Sequence, residues 1–224
     1  MSEPTIYKPR IYNGNGVCKG DSVYNGNGVY NDGKSVEEFL ELGGKSYPVV
    51  TIGSLKWIAH NLDYIDDNIV LGSSTSYTDP RANYFDDNEI IYGWNGRKYG
   101  LLYNSPAIEY IDGILTDGWR TATSTDWDNL ISSAGSTREE ASDNLRNDNM
   151  PWYPEGEGNN SLKMNMLLSG ARYYYGTYFT GGVQNEGFYN GSNLYIYDLW
   201  PNGFGPYYDG IRAAQKSVRL CKDA

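Results

Sequence analysis

Residues equipped for covalent or acid–base chemistry are few in this chain. It has one histidine, His60, and two cysteines, Cys18 and Cys221, near opposite ends of 224 residues. A general base works on a nucleophile or substrate proton within hydrogen-bond reach, and the stretch Trp57-Ile58-Ala59-His60 offers no serine or cysteine partner. The acidic pairs Asp66-Asp67 and Asp86-Asp87 have oxygens for a hard cation. Such an ion wants several converging ligands, and loop acids are more often simply solvated. The residue types therefore predict no catalytic residue, no metal centre and no cofactor.

The chemistry that does stand out is recognition. Nine of the 22 tyrosines fall between Tyr173 and Tyr208, among Gly, Asn, Asp and Ser. A core segment would repeat aliphatic residues with period 2 or 3.6. Tyr with Ser, Gly and Asn instead supplies rigid amphipathic area and adaptable hydrogen bonds, as in antibody contact loops. A tyrosine-rich packed edge of a β protein has the same composition, so composition leaves both readings open. The residues expected to touch a ligand are Tyr173, Tyr175, Tyr178, Tyr189, Asn193, Tyr195, Tyr197, Trp200, Asn202, Phe204, Tyr207, Tyr208 and Asp209. Successive strand residues face opposite sides, so part of 173–175, Tyr174 above all, is expected to be buried.

These residues need a frame, and the chain is long enough to build one sizeable core. Twenty-eight acids against 18 bases leave a net charge of −10, which repels phosphate backbones and argues against nucleic acid as a partner. No apolar run is long enough to span a bilayer, and the first residues, MSEPTIYKPR, carry no secretion-signal pattern. The two cysteines are expected as free thiols in a reducing compartment.

Along the chain, Tyr12-Asn-Gly-Asn-Gly-Val17 recurs as Tyr24-Asn-Gly-Asn-Gly-Val29. Asn-Gly is a strong hairpin signal, so residues 1–44 are expected to form a small β-hairpin repeat for attachment or oligomerisation. Within them Ser35–Gly44 reads as a short helix, with Ser35 as cap, Glu38 at N3 and glycine as the stop. Residues 45–224 are expected to form one ligand-binding domain. Tyr47–Ile52 and Lys56–Ala59 read as strands around a turn at Gly53-Ser54, and Tyr99–Tyr103 as another. Ser105-Pro106 opens a helix, and Thr123 with Asp126 caps a second that carries Trp127, Leu130 and Ile131 on one face. Thr137–Arg146 is charged enough to read as a surface piece, and Ser217–Cys221 as a closing strand. Trp57, Trp119 and Trp127 are expected in the core. Two main helices among short antiparallel strands and long loops, without βαβ alternation, make the class α+β.

TIGSLKWIAHNL (51–62), KYGLLYNSPAI (98–108), DGWRTATSTDWDNL (117–130), LLSGARYYYGTY (167–178) and SVRLCKD (217–223) follow one another in that order. The series resembles the Fibrobacter succinogenes major paralogous domain and covers about residues 45–223. His60 stands where that family usually has Glu, and Ala122 where Pro is usual; neither should remove the fold. The resemblance implies a C-type-lectin-like fold related to the sulfatase-modifying-factor version of it. It also extends to variable proteins of diversity-generating retroelements, in which adenines of Asn codons are mutated. The residues those changes yield are close to the alphabet found here over about 172–212, between fixed positions such as Gly187, Arg212 and the SVR ending. The implied function is noncatalytic binding of a protein or glycan on a host-cell surface, from a phage tail or cell surface, with homo-oligomerisation through the N-terminal repeat. A fixed-specificity glycan-binding domain of the same fold is the alternative. Sulfatase-modifying relatives use a pair of cysteines in one pocket, which Cys18 and Cys221 do not supply. Calcium-dependent lectins carry acids around a Pro-Asn that Trp200-Pro201-Asn202 lacks.

Overall fold

A computed structural model describes residues 11–12, 16–19, 22–24, 29–31, 34–35, 38–72, 76–83, 100–148, 158–167, 187–190, 195–200, 203–208 and 214–224. For 11–35, 187–190, 195–198, 200 and 207–208 the description is of the backbone. The chain divides into two units, Met1–Val49 and Val50–Ala224. In the first, β1 (Ile11–Tyr12), β2 (Gly16–Lys19), β3 (Ser22–Tyr24), β4 (Val29–Asn31) and β5 (Lys34–Ser35) form an antiparallel meander in sequence order. Tyr12 lies opposite Gly16 and Tyr24 opposite Val29, while residues 13–15 and 25–28 of the two Asn-Gly-Asn-Gly repeats lie outside the described residues.

The helix expected over Ser35–Gly44 does not form. Instead β6 (Phe39–Leu42) pairs antiparallel with β7 (Lys45–Ile52), Leu42 lying opposite Lys45. Gly43 and Gly44 both hold positive φ, +58° and +73°, which a two-residue hairpin turn requires and glycine adopts without steric cost. The glycines that read as a helix stop are that turn. A single short helix is marginal in water, whereas pairing with β7 gives β6 inter-strand partners.

In the second unit, β7 ends at Ile52, the chain turns at Gly53 with φ +61°, and β8 (Leu55–Ile58) returns. Three short strands follow, β9 (Val70–Leu71), β10 (Arg81–Asn83) and β11 (Leu102–Tyr103), in the order β11-β10-β9. The β10–β11 pair is antiparallel and the β9–β10 pair parallel. Helix α1 (Ser105–Ile114) starts at Asn104, whose side chain accepts from the Ala107 amide, and carries Pro106 in its first turn. After β12 (Arg120–Thr121), α2 (Ser124–Ala134) and α3 (Arg138–Leu145) lead towards β13 (Gly187–Asn190), β14 (Tyr195–Trp200), β15 (Gly203–Tyr208) and β16 (Leu220–Asp223). The last strand lies a little later than Ser217–Cys221 and runs between β8 and β12, with Cys221 opposite both Trp57 and Arg120. The protein is thus mixed α and β, with three helices among the described residues. The piece read as a surface segment, Thr137–Arg146, forms α3 and buries Ala141, Ser142 and Leu145.

The core gathers around two indoles tilted by 39° to one another. Trp57 and Trp127 are both fully buried, with ring centroids 4.9 Å apart. Leu130, Leu145, Leu199, Phe204 and Cys221 close around them. Trp119 is also buried, beneath the Lys222 ammonium, which lies 5.0 Å from its ring centre.

The start of α2 carries a pH-sensitive joint. Thr123 and Asp126 form the reciprocal capping box, and Asp126 also accepts from the Arg120 guanidinium at 2.7 Å. Burial alone would raise the Asp126 carboxyl, but the bonds from Arg120 and Thr123 outweigh it and hold it below the usual range. A depressed folded value stabilises fully above the unfolded aspartate value of about 3.9 and is lost as pH falls through the folded one. Asp126→Asn is therefore expected to lower stability at neutral pH and to flatten its decline on acidification. Urea midpoints of the two proteins measured from neutral to acid check this; parallel declines would disprove it.

Candidate ligand-binding site

Strands β13, β14 and β15 make a separate three-stranded antiparallel sheet. Its register places Tyr189 opposite Tyr197, Tyr197 opposite Pro206, Tyr195 opposite Tyr208 and Ile196 opposite Tyr207. Further along, Leu199 lies opposite Phe204 and Trp200 opposite Gly203. Two side chains anchor this end. Leu199 and Phe204 are fully buried, and Phe204 meets Trp127 edge-on at 5.6 Å and 80°. Aromatic pairs favour this geometry. Gly205 is buried under α3, where an added Cβ would come within 3.0 Å of the Arg138 guanidinium. At Pro206 the strand becomes exposed.

One end of the sheet is therefore locked, by Leu199, Phe204 and Gly205, and Pro206 beyond it is exposed. Backbone positions 189, 195, 197 and 208 lie in the register at or beyond exposed Pro206, and Trp200 lies at the locked end beside Gly203. Phe204 needs correcting: a ring with no solvent exposure, held against Trp127, is a core anchor and not a contact residue. Tyr173, Tyr174, Tyr175, Tyr178, Asn193, Asn202 and Asp209 lie outside the described residues.

A residue with no predicted role holds the base of this region. Arg219 has no solvent exposure. Its Nε donates to Asn61 Oδ1 at 2.8 Å, Nη1 to the Ile58 and Met164 carbonyls, and Nη2 to the Asn165 carbonyl, each at 2.9 Å. Four acceptors thus surround the buried guanidinium. They come from the end of β8 and from the segment that leads into the tyrosine-rich stretch, so one guanidinium ties the two together. Asn165 is held in turn by Asn147 and Asn160, with Asn160, Lys163 and Asn165 in the left-handed region. The only sequence signal for this hub was the SVR ending; an arginine is ordinarily a surface residue.

The remaining candidates form no reactive centre in the described residues. His60 is half-buried at the end of β8. Asp66 accepts from the Tyr64 and Tyr110 hydroxyls at 2.7 and 2.6 Å and from the Asn68 amide at 2.9 Å, while Asp86-Asp87 lie outside the described residues. No group of three or more His, Cys, Asp or Glu side chains among the described residues could hold a metal. Cys221 is a free thiol whose ionisation is pushed far up, chiefly by burial. No helix among the described residues is long and apolar enough to cross a membrane.

The model of the Fibrobacter succinogenes major domain matches residues 50–192, within the second unit and ending before β14. No curated protein and no solved structure matches the chain.

Proposed function

This chain belongs to the Fibrobacter succinogenes major domain family, and we propose that it is a noncatalytic binding protein whose C-terminal segment presents a tyrosine-rich contact surface. The observation that carries the reading is the anchoring of β14 and β15. Leu199 and Phe204 are fixed in the core while Pro206, two residues further along β15, is exposed. A sheet held at one end offers aromatic positions on a rigid support, and rigid aromatics serve as interface anchors. In this reading residues 45–224 form a C-type-lectin-like domain, and residues 1–44 attach it or join copies of it. The segment about 172–212 is diversified by a retroelement, and the ligand is a protein or glycan on a host-cell surface, met from a phage tail or cell surface. Several copies would add avidity to a modest single contact.

Replacing Tyr195, Tyr197 and Tyr207 together with Ser is expected to abolish host-cell binding. Melting should shift by only a few degrees, as exposed substitutions typically cost within about 0.5 kcal/mol each. A large loss of stability would place those rings in the core and overturn the reading. The gene supplies an independent test of diversification: a nearby reverse transcriptase, and a near-copy of codons 172–212 differing only at adenines, are expected. A fixed gene without them, together with calcium-dependent binding on a glycan array, would instead indicate a lectin of fixed specificity.

A further inference from the structure

Arg138 opens α3 on the stripe of that helix that is turned inward. Ala141, Ser142 and Leu145, three, four and seven residues on, are its buried residues, while Arg138 itself is exposed. Its guanidinium nevertheless lies in a defined place. Nη1, Cζ and Nε are 3.0, 3.1 and 3.5 Å from where a Cβ at Gly205 would stand. The missing side chain at 205 gives the cation room against β15.

Among the described residues Arg138 enters no hydrogen bond and no ion pair. The local sequence explains this. Helical side chains meet at spacings of three and four, and those positions hold Ala141 and Ser142, which carry no carboxylate. Glu139 is adjacent in sequence, a spacing at which helical side chains do not face each other. Glu140 accepts instead from the Ser136 amide and hydroxyl at 2.7 and 2.6 Å. Asp143 is shared by Arg146 and Asn159.

The tyrosine-rich segment has no cation of its own. From Tyr173 to Ile211 the sequence carries Glu186, Asp198 and Asp209 but no lysine or arginine. Positive charge offered to a ligand there has to come from the scaffold, and Arg138 is placed to supply it. In the register Gly205 lies opposite Asp198, and Tyr207 opposite Ile196. Alternate strand positions share a face, so Arg138 stands on the face that carries positions 196, 198 and 207.

We propose that Arg138 is a specificity residue of the contact surface and pairs, beside position 207, with an aspartate or glutamate carboxylate of a partner protein. This rests on the proposed function of the sheet and adds the chemistry of its ligand. A guanidinium fork holds a carboxylate by two parallel hydrogen bonds. Arginine together with Tyr and Trp is the composition of protein–protein hot spots, which favours a protein carboxylate over that of a sugar. The net charge of −10 opposes the approach of an acidic partner, but exposed charges are screened beyond about 8 Å at physiological salt. The nearby cation then decides the contact.

The test follows the Arg138 Nε–Hε resonance of the full chain, assigned by its loss in Arg138→Gln, during titration with an end-blocked tetraglutamate peptide. A saturable shift that weakens with salt is expected, and none with tetraglutamine. By anisotropy of the labelled peptide, Arg138→Gln should bind about tenfold or more weakly and keep the parent melting curve. Arg138→Lys, which keeps the stem over Gly205 but loses the fork, should fall between the two; it carries the comparison should the glutamine variant unfold. Asp198→Asn should bind more tightly, because a like charge has gone from the same face. The Tyr195/Tyr197/Tyr207→Ser protein should still shift Arg138 with tetraglutamate while losing host-cell binding, so failure here and failure of the proposed function are distinguishable. No shift, an equal shift with tetraglutamine, or parent-like binding by both Arg138 variants would overturn the proposal. So would tighter binding of a glucuronate oligomer, which would assign the cation to an acidic glycan. Equal losses of melting temperature in Arg138→Gln, Asp198→Asn and the double variant would make Asp198 the partner and overturn it as well.

Discussion

Arg219→Met is expected to be the most damaging single substitution in this protein. Methionine fills part of the same volume but donates nothing. Asn61 Oδ1 and the carbonyls of Ile58, Met164 and Asn165 then lose the donors they have in the folded state. Buried acceptors left unmet cost about 1–3 kcal/mol each, and four lose a donor at once. For a chain of this size that is about 10 °C or more in melting temperature. Arg219→Lys should recover little, because one compact ammonium cannot reach acceptors spread over a planar fork. Thermal melts of the three proteins decide the matter. A lysine variant as stable as the parent would show that charge alone, not the fork, is required.

Trp127→Ala comes next, for a different reason. The indole fills the space between Trp57 at 4.9 Å and Phe204 at 5.6 Å, and a large-to-small change at such a site costs about 3–5 kcal/mol. The effect should be uneven across the molecule. Phe204 loses the ring it leans on, so the amides of β14 and β15 should exchange with deuterium faster than those of β8 and β16. If this sheet carries the proposed contact surface, binding through it should fall even under conditions where the variant is still folded. Uniformly faster exchange throughout would mean that the tyrosine-rich sheet is not supported through Phe204.

What the sequence disclosed follows the range of the interactions involved. The capping box of Thr123 and Asp126, the proline in the first turn of α1 and the turn at Gly53 are local, and each was legible. So were Trp57, Trp119 and Trp127 as core residues. Ser35–Gly44 misled because its caps, read locally, fit a helix, while the pairing of Leu42 with Lys45 depends on the strand beyond the glycines. Phe204 was hidden among tyrosines of the same composition, and only Trp127, far back in the chain, makes it a core residue. Arg219 was hidden more deeply. Nothing beside it marks it as buried, because Asn61 and the carbonyls of Ile58, Met164 and Asn165 that accept from it lie far from it in the chain.

The position of β16 has a consequence for which truncated products of the gene can fold. Strand β16 is inserted between β8 and β12, so the sheet is incomplete until residues 220–223 are in place. A stop codon or frameshift anywhere in residues 168–213 removes both that strand and Arg219. The product would expose unpaired edges on β8 and β12 and leave the arginine's acceptors unmet, which favours aggregation and degradation. Strand β16 thus acts as a seal: a chain whose reading frame is lost ahead of it cannot complete the sheet.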